Sequence, residues 1–128
     1  MIRIDLESPR PLEEQIGTSV RQALAQGDIS PGDELPSVRQ LAADLGVHWN
    51  TVARAYRRLA DEGLLLVGHG RRVTVKEKPR PANRATKADL RQRFAETIAA
   101  GVLGGLNGEE LSRIFQEALA DFGGRTRV

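Results

Sequence analysis

The chain has 128 residues with 40% hydrophobic and 28% charged side chains, a formal net charge of +2 and no cysteine. This length and composition are typical of one globular body with at most an appendage, and they exclude a disordered chain. The lack of cysteine excludes disulfides, thiolate metal sites and cysteine nucleophiles, and it favours a cytoplasmic protein.

No targeting or membrane segment is predicted. Residues 1–10 contain Asp5 and Glu7 and lack the apolar core of a signal peptide. The most apolar stretch, residues 98–106, is far shorter than the roughly 20 residues that a membrane-spanning helix needs. We therefore expect no membrane partner.

Charge is distributed unevenly along the chain. Residues 1–34 carry three basic and seven acidic side chains, a net charge of −4, whereas residues 71–93 carry nine basic and two acidic ones, a net charge of +7. Such asymmetry is expected when one face of a protein meets phosphate. For the basic segment alone, a solvated linker is an equally good interpretation.

Pro11 opens the first predicted helix, which ends before Gly27. Its apolar residues recur every four positions, as they do on one face of a helix. Residues 28–36 contain a Pro-Gly-Asp sequence and are predicted to form a turn. The apolar residues of the helix are Leu12, Ile16, Val20 and Leu24.

Two further helices are predicted downstream. Ser37 is a good N-cap for a helix over residues 38–45, and Gly46 is a typical C-terminal stop. A third helix is predicted over about residues 49–62. Two short helices joined by a glycine turn are the helix-turn-helix arrangement, which places its second helix in the DNA major groove.

Two short extended runs follow, at residues 64–67 and 72–75, separated by a glycine-bearing loop. This pattern predicts a β-hairpin, and a hairpin after three helices predicts a winged helix-turn-helix. The fold class is therefore α+β, mostly α. We expect a DNA-binding domain over residues 1–76 and a proline-containing linker over residues 77–85.

Two amphipathic helices are predicted in residues 86–128. Thr86 with Asp89, and Asn107 with Glu110, have the spacing of capping boxes. Two small helices have more apolar surface than they can hide from each other, so we expect a second copy to cover it; packing onto the winged helix is the alternative. The expected dimerisation residues are Leu90, Phe94, Ile98, Leu111, Phe115, Leu119 and Phe122.

Residues 27–42 read GDISPGDELPSVRQLA, and shorter motifs lie at residues 45–47, 50–52 and 54–56. With these motifs, residues 11–75 resemble the GntR family of bacterial regulators. This resemblance implies a dimer on a palindromic operator, with a recognition helix in the major groove and a wing tip in the minor groove. It also implies that Arg39 holds the DNA backbone; a surface salt bridge is the alternative role.

The remaining roles follow from side-chain chemistry. An asparagine amide at position 50 can read adenine, and the hydroxyl of Thr51 can bind phosphate or a base edge; helix capping is the alternative for both. Arg54 can reach guanine or phosphate, or stay solvated. The predicted DNA-binding residues are Ser37, Arg39, Trp49, Asn50, Thr51, Arg54, His69, Gly70 and Arg71.

Three positions depart from the family pattern. His48 stands where the family usually has a small N-cap residue, and Trp49 is a large aromatic at the start of the recognition helix. Trp49 can contact thymine methyls or the sugar-phosphate wall, or cover the protein's own turn. Arg72 stands where the family has an aromatic, so the wing packs less tightly or gains a phosphate contact.

An enzyme is disfavoured. The glycine-rich residues 101–108 lack the Gly-Lys-Ser/Thr of a phosphate loop, and the two histidines are far apart. We expect no catalytic residues, metal or cofactor.

About 45 residues after the linker are too few for a large effector domain. The chain thus resembles the short-tailed YtrA-type branch of the family, in which two C-terminal helices form the dimer interface and the regulated genes often encode membrane transporters. We expect a repressor that binds an operator as a homodimer. The sequence does not specify whether an effector exists, which genes are regulated, or whether the protein activates rather than represses them. The alternatives are a winged-helix module that binds protein and a sequence-tolerant architectural DNA binder.

Overall fold

The structure is a computed structural model, and it describes residues 2–68, 72–77 and 86–122. The chain divides into two compact units, residues 1–82 and residues 83–128. Within the described ranges, no helix has the length and apolar character required to cross a membrane.

The first unit contains three helices, α1 (Leu12–Gln26), α2 (Val38–Leu45) and α3 (Trp49–Asp61). The sequence predicted all three, with small errors at two ends. Pro11 is the N-cap of α1 rather than a helical residue, because its ψ of 140° is extended. Helix α3 ends one residue earlier than predicted, and Glu62 is its C-cap.

A three-stranded antiparallel sheet completes the first unit. Strands β1 (Glu34–Leu35), β2 (Leu65–Val67) and β3 (Val73–Val75) lie in the order β1-β3-β2. The predicted hairpin is confirmed, although each of its strands begins one residue later than expected. Strand β1 was missed, because two residues next to a Pro-Gly turn are too few to show an alternating pattern.

Backbone hydrogen bonds join the segment before α2 to the centre of this sheet. The Gly32 amide donates to the Val75 carbonyl at 2.9 Å, and the Val75 amide donates to the Asp33 carbonyl at 2.8 Å. Leu35 pairs with Val73 in the ladder. The turn predicted over residues 28–36 is therefore also part of the wing's base.

The core of the first unit lies between the helices and the inner face of the sheet. Helix α3 contacts α1, α2 and β2, so its position is fixed on three sides. Its outward face is consequently a rigid surface. The largest fully buried side chains are Ile16, Val20, Val52, Tyr56, Leu59, Leu65, Val73 and Val75.

Gln15 on α1 forms hydrogen bonds with the N-terminal segment. It is almost fully buried, and its Oε1 accepts a hydrogen bond from the Asp5 amide at 2.7 Å. Its Nε2 donates to the carbonyls of Asp5 and Arg10 at 3.1 and 2.9 Å. One amide side chain thereby satisfies three backbone groups of a segment that has no regular secondary structure.

The second unit contains α4 (Lys87–Leu103) and α5 (Gly108–Ala120). Both predicted capping boxes are present, at Thr86 with Asp89 and at Asn107 with Glu110. Hydrogen bonds from the Thr86 backbone and hydroxyl hold the pKa of Asp89 below its usual value. The expected stop at residues 123–124 lies outside the described residues, and α5 ends before it.

The apolar stripe of the second unit lies at the surface. Neither helix contains a buried residue, and Phe94, Ile98 and Phe115 are 56%, 51% and 43% exposed. Leu111, Leu119 and Phe122 are half-buried. Phe122 was predicted on the α5 stripe, but it lies in the turn after Ala120, where its amide donates to the Leu119 carbonyl.

The contacts between the two helices of this unit include an aromatic pair and a close approach at Gly101. The rings of Phe94 and Phe115 have centroids 5.8 Å apart and are tilted by 58°. A Cβ atom on residue 101 would collide with a methyl group of Leu111, so a larger residue there would force the Leu111 side chain to shift.

Candidate nucleic-acid interface

The turn between α2 and α3 has the geometry that the sequence predicted. Gly46 is left-handed, with a φ of 69°, and the Val47 amide donates to the Ala42 carbonyl at 3.0 Å. The Ser37 hydroxyl caps α2 by accepting from the Gln40 amide at 3.1 Å. The Ser37 proton stays available for donation to a ligand.

Tyr56 connects α3 to the start of α2. Its hydroxyl donates to the Pro36 carbonyl at 2.8 Å, and its ring is 1% exposed. Burial raises the pKa of Tyr56, so the hydroxyl keeps the proton that this hydrogen bond requires. The two helices are thereby held together from below the exposed surface.

His48 is the N-cap of α3. Its Nδ1 accepts a hydrogen bond from the Asn50 amide at 3.1 Å. Its ring stacks on Trp49 with centroids 5.6 Å apart and an angle of 28°. Although His48 is larger than the usual N-cap residue, it still caps α3, and it also forms an aromatic pair with Trp49.

A His48→Ala substitution is expected to lower the free energy of unfolding by about 0.5–2 kcal/mol, because the Asn50 amide loses its acceptor. A His48→Ser substitution supplies a hydroxyl oxygen as acceptor in place of the imidazole nitrogen and is expected to recover most of this loss. Urea denaturation followed by circular dichroism measures both values. Equal stability of the alanine variant and the wild type would contradict the capping role.

The first turn of α3 presents polar and aromatic side chains to solvent. Trp49 is 55% exposed, Asn50 is exposed and Thr51 is half-buried. The Thr51 amide donates to the His48 carbonyl at 3.1 Å, and the cap uses only the backbone of Asn50. The Asn50 amide side chain is therefore available to a ligand.

Arg39 and Arg54 lie in different environments. Arg39 is exposed on α2 and has no ion pair or side-chain hydrogen bond within the described residues. The Nε of Arg54 lies 3.6 Å from an oxygen of Glu13 on α1, and Arg58 lies 3.7 Å from the other oxygen. Of these cations, Arg39 is the one without a competing carboxylate.

An open cleft of about 990 Å³ lies between α2, α3 and the strands β2 and β3. Arg39, Trp49 and Arg57 contribute to its lining, and most of the remainder is apolar. Arg57 was not among the predicted site residues. Its place four and eight residues after Ala53 and Trp49, along one helix face, is the signal that would have identified it.

The wing is described only at its base. The Gly68 amide donates to the Arg72 carbonyl at 2.8 Å, and the Nε of Arg72 lies 3.5 Å from a Glu34 oxygen. Val73 beside it is buried, whereas the Arg72 side chain is 69% exposed. The predicted tip residues His69, Gly70 and Arg71 lie outside the described residues.

The described part of the chain contains no cluster of three or more metal-ligating side chains. The candidate site is thus a surface of backbone-anchored polar groups, aromatic rings and unpaired cations. Such a surface can bind an anionic polymer through hydrogen bonds and ion pairs.

Comparison with known proteins agrees with this geometry. Residues 12–75 match the family described as bacterial regulatory proteins, gntR family. The chain is 32% identical over 125 residues to the HTH-type transcriptional repressor YtrA of Bacillus subtilis, covering 97% of this chain and 96% of that protein.

Two solved structures are similar to the chain. A transcriptional antiterminator from Listeria monocytogenes is 27% identical, with a TM-score of 0.77 over 100% of this chain and 96% of its own. YtrA from Sulfolobus acidocaldarius, a GntR-family transcription factor, is 40% identical, with a TM-score of 0.59 over 77% of this chain and 97% of its own. The winged helix-turn-helix and the near-complete match to a YtrA repressor together show that this chain belongs to the GntR family of transcriptional regulators, in its YtrA-type branch.

Proposed function

We propose that the protein is a repressor that binds a near-palindromic DNA operator as a homodimer and blocks transcription by occupancy. The observation that carries this proposal is the first turn of α3. It presents Trp49 and Asn50 outward on a helix fixed on three sides, beside Arg39, which forms no ion pair with a described residue. The relative from Bacillus subtilis is also named a repressor.

In the proposed complex, α3 enters the major groove and the wing tip enters the minor groove. The Asn50 amide is suited to the paired donor and acceptor of adenine, and Thr51 to a base edge or phosphate. Ser37 and Arg39 bind backbone phosphate from the start of α2. His69, Gly70 and Arg71 would contact the minor groove, where glycine permits close approach and arginine suits a narrow groove.

The second unit would pair two copies. Its exposed stripe, with no buried residue on either helix, is a surface that a second copy can cover. We propose that residues 1–76 bind DNA, residues 77–85 link and residues 86–128 dimerise. A two-fold dimer places its recognition helices about 34 Å, or one helical turn, apart, so the operator repeats at that spacing or a multiple of it.

We propose that the protein acts in the cytoplasm on its own promoter and, by its resemblance to the YtrA-type branch, on transporter genes. The test is fluorescence anisotropy with the native upstream DNA and a scrambled duplex of equal length and composition. We expect tight binding to the native duplex only. An Asn50→Ala variant should lose about 1–3 kcal/mol of discrimination between the two duplexes.

Arg10→Ala is the matched control for Arg39→Ala. Arg10 is an exposed arginine that already pairs with Glu14 at 3.0 Å on a different surface. Only Arg39→Ala should weaken binding. Equal affinity for both duplexes would favour a sequence-tolerant architectural binder, and absence of binding to either would favour a protein-interaction module.

A further inference from the structure

We propose that Arg57 is the phosphate-binding arginine of α3, in place of Arg54, and that the cleft between α2, α3 and β2–β3 seats one sugar-phosphate strand of the DNA. This inference rests on the proposed function and adds a residue and a surface to it. It follows from the distribution of the arginines of α3 between two flanks of the helix.

One flank of α3 faces α1. Arg54 and Arg58 are four residues apart, and the two oxygens of Glu13 lie 3.6 and 3.7 Å from their guanidinium nitrogens. The Glu13 side chain is 27% exposed, so this carboxylate is partly shielded from water. A phosphate that approached Arg54 would have to compete with the Glu13 carboxylate, which would also repel it.

The other flank faces the cleft. Trp49, Ala53 and Arg57 follow one another at intervals of four residues and line the cleft together. Arg57 is exposed and has no ion pair or hydrogen bond from its side chain to any described residue. Arg39 contributes a second cation to the same cleft from α2. The flank therefore combines unneutralised positive charge with an opening wide enough for a ligand.

The remaining lining matches the chemistry of a DNA strand. Val38, Val47 and Val67 are among its apolar walls, and the two arginines supply the charge. A sugar-phosphate strand has the complementary character, since its deoxyribose carbons are apolar and its phosphates are anionic. A free inorganic anion would use only the arginines and leave the apolar walls without a partner.

The length of α3 places Arg57 at the groove edge. Residue 57 lies about 12 Å further along the helix axis than residue 49, at 1.5 Å per residue. The major groove is about 12 Å wide. With the first turn of α3 at the base edges, a side chain two turns later reaches the phosphates that bound the groove. Arg57 should thus add affinity without adding sequence discrimination.

The test measures the dissociation constant against NaCl concentration for the native upstream duplex and the scrambled duplex, each with four proteins. These are the wild type, Arg57→Gln, Arg57→Lys and Arg54→Gln. For Arg57→Gln we expect the slope of log K against log[NaCl] to become shallower by about 0.9 for each protomer bound, with equal weakening on both duplexes. Arg57→Lys should keep the wild-type slope, because lysine retains the charge.

Arg54→Gln is the matched control, since it removes the same charge from the same exposed helix three residues away. It should leave the slope unchanged, and thermal denaturation should show that Arg57→Gln is folded. A wild-type slope for Arg57→Gln, a loss confined to the native duplex, or an equally shallow slope for Arg54→Gln would overturn the inference. Failure of the wild type to bind either duplex would instead overturn the proposed function itself.

Discussion

An Ile98→Glu variant is expected to be monomeric at concentrations where we expect the wild type to form the proposed dimer. Ile98 is 51% exposed at the middle of the α4 stripe, and a two-fold interface would bury it twice. An unpaired buried carboxylate costs about 3–5 kcal/mol, so the dimer dissociation constant should rise by at least about 100-fold. Sedimentation velocity over a range of protein concentrations measures this change.

Gln92→Glu is the control for this variant. It also adds one negative charge to α4, at an exposed polar residue away from the apolar stripe, where the Gln92 Nε2 donates to Glu96 at 3.2 Å. It should sediment as the wild type does, and both variants should retain wild-type helix content. Loss of the dimer should also abolish tight binding to a duplex with two half-sites. A dimeric Ile98→Glu protein would contradict the proposed interface.

Substitution of Leu65 by alanine is expected to lower the free energy of unfolding of the first unit by about 2–5 kcal/mol. Leu65 is 1% exposed on β2, where it pairs with Val75 of β3. Its truncation removes apolar contacts and leaves a cavity in a core that three helices and the sheet enclose. Urea denaturation provides the measurement.

The adjacent residue supplies a matched control. Leu66 lies on the opposite face of the same strand and is 57% exposed, so Leu66→Ala deletes the same atoms from solvent. We expect a change within about 0.5 kcal/mol. Equal destabilisation by the two substitutions would show that the inner face of the sheet is not the packed one. The total stability of a folded domain is small, so the stability lost in Leu65→Ala should also lower the fraction of folded protein and thereby reduce DNA binding.

Local signals were sufficient to predict the helices. Their limits depend on caps and stops such as Ser37, Gly46 and the two capping boxes, which act within three or four residues of each other. The N-cap at His48 follows the same logic, although the residue type differs from the family pattern. The winged helix-turn-helix could therefore be predicted from order and spacing alone.

Features that depend on distant residues were not predicted. Strand β1 forms because Leu35 pairs with Val73 of β3. A pattern of only two residues in the sequence cannot specify that pairing. Arg54 and Arg57 are equivalent in sequence, and only the position of Glu13 on α1 distinguishes them. Their roles depend on how α1 packs against α3, which periodicity does not specify.

The pairing of β1 with β3 also affects the thermodynamics of DNA recognition. The base of the wing and the segment leading into α2 share one hydrogen-bonded sheet, so the recognition helix and the wing base are already ordered relative to each other. Ordering a flexible backbone costs about 1–2 kcal/mol for each residue that becomes fixed. A preorganised surface avoids this cost for the residues concerned, so more of the contact energy is retained as affinity.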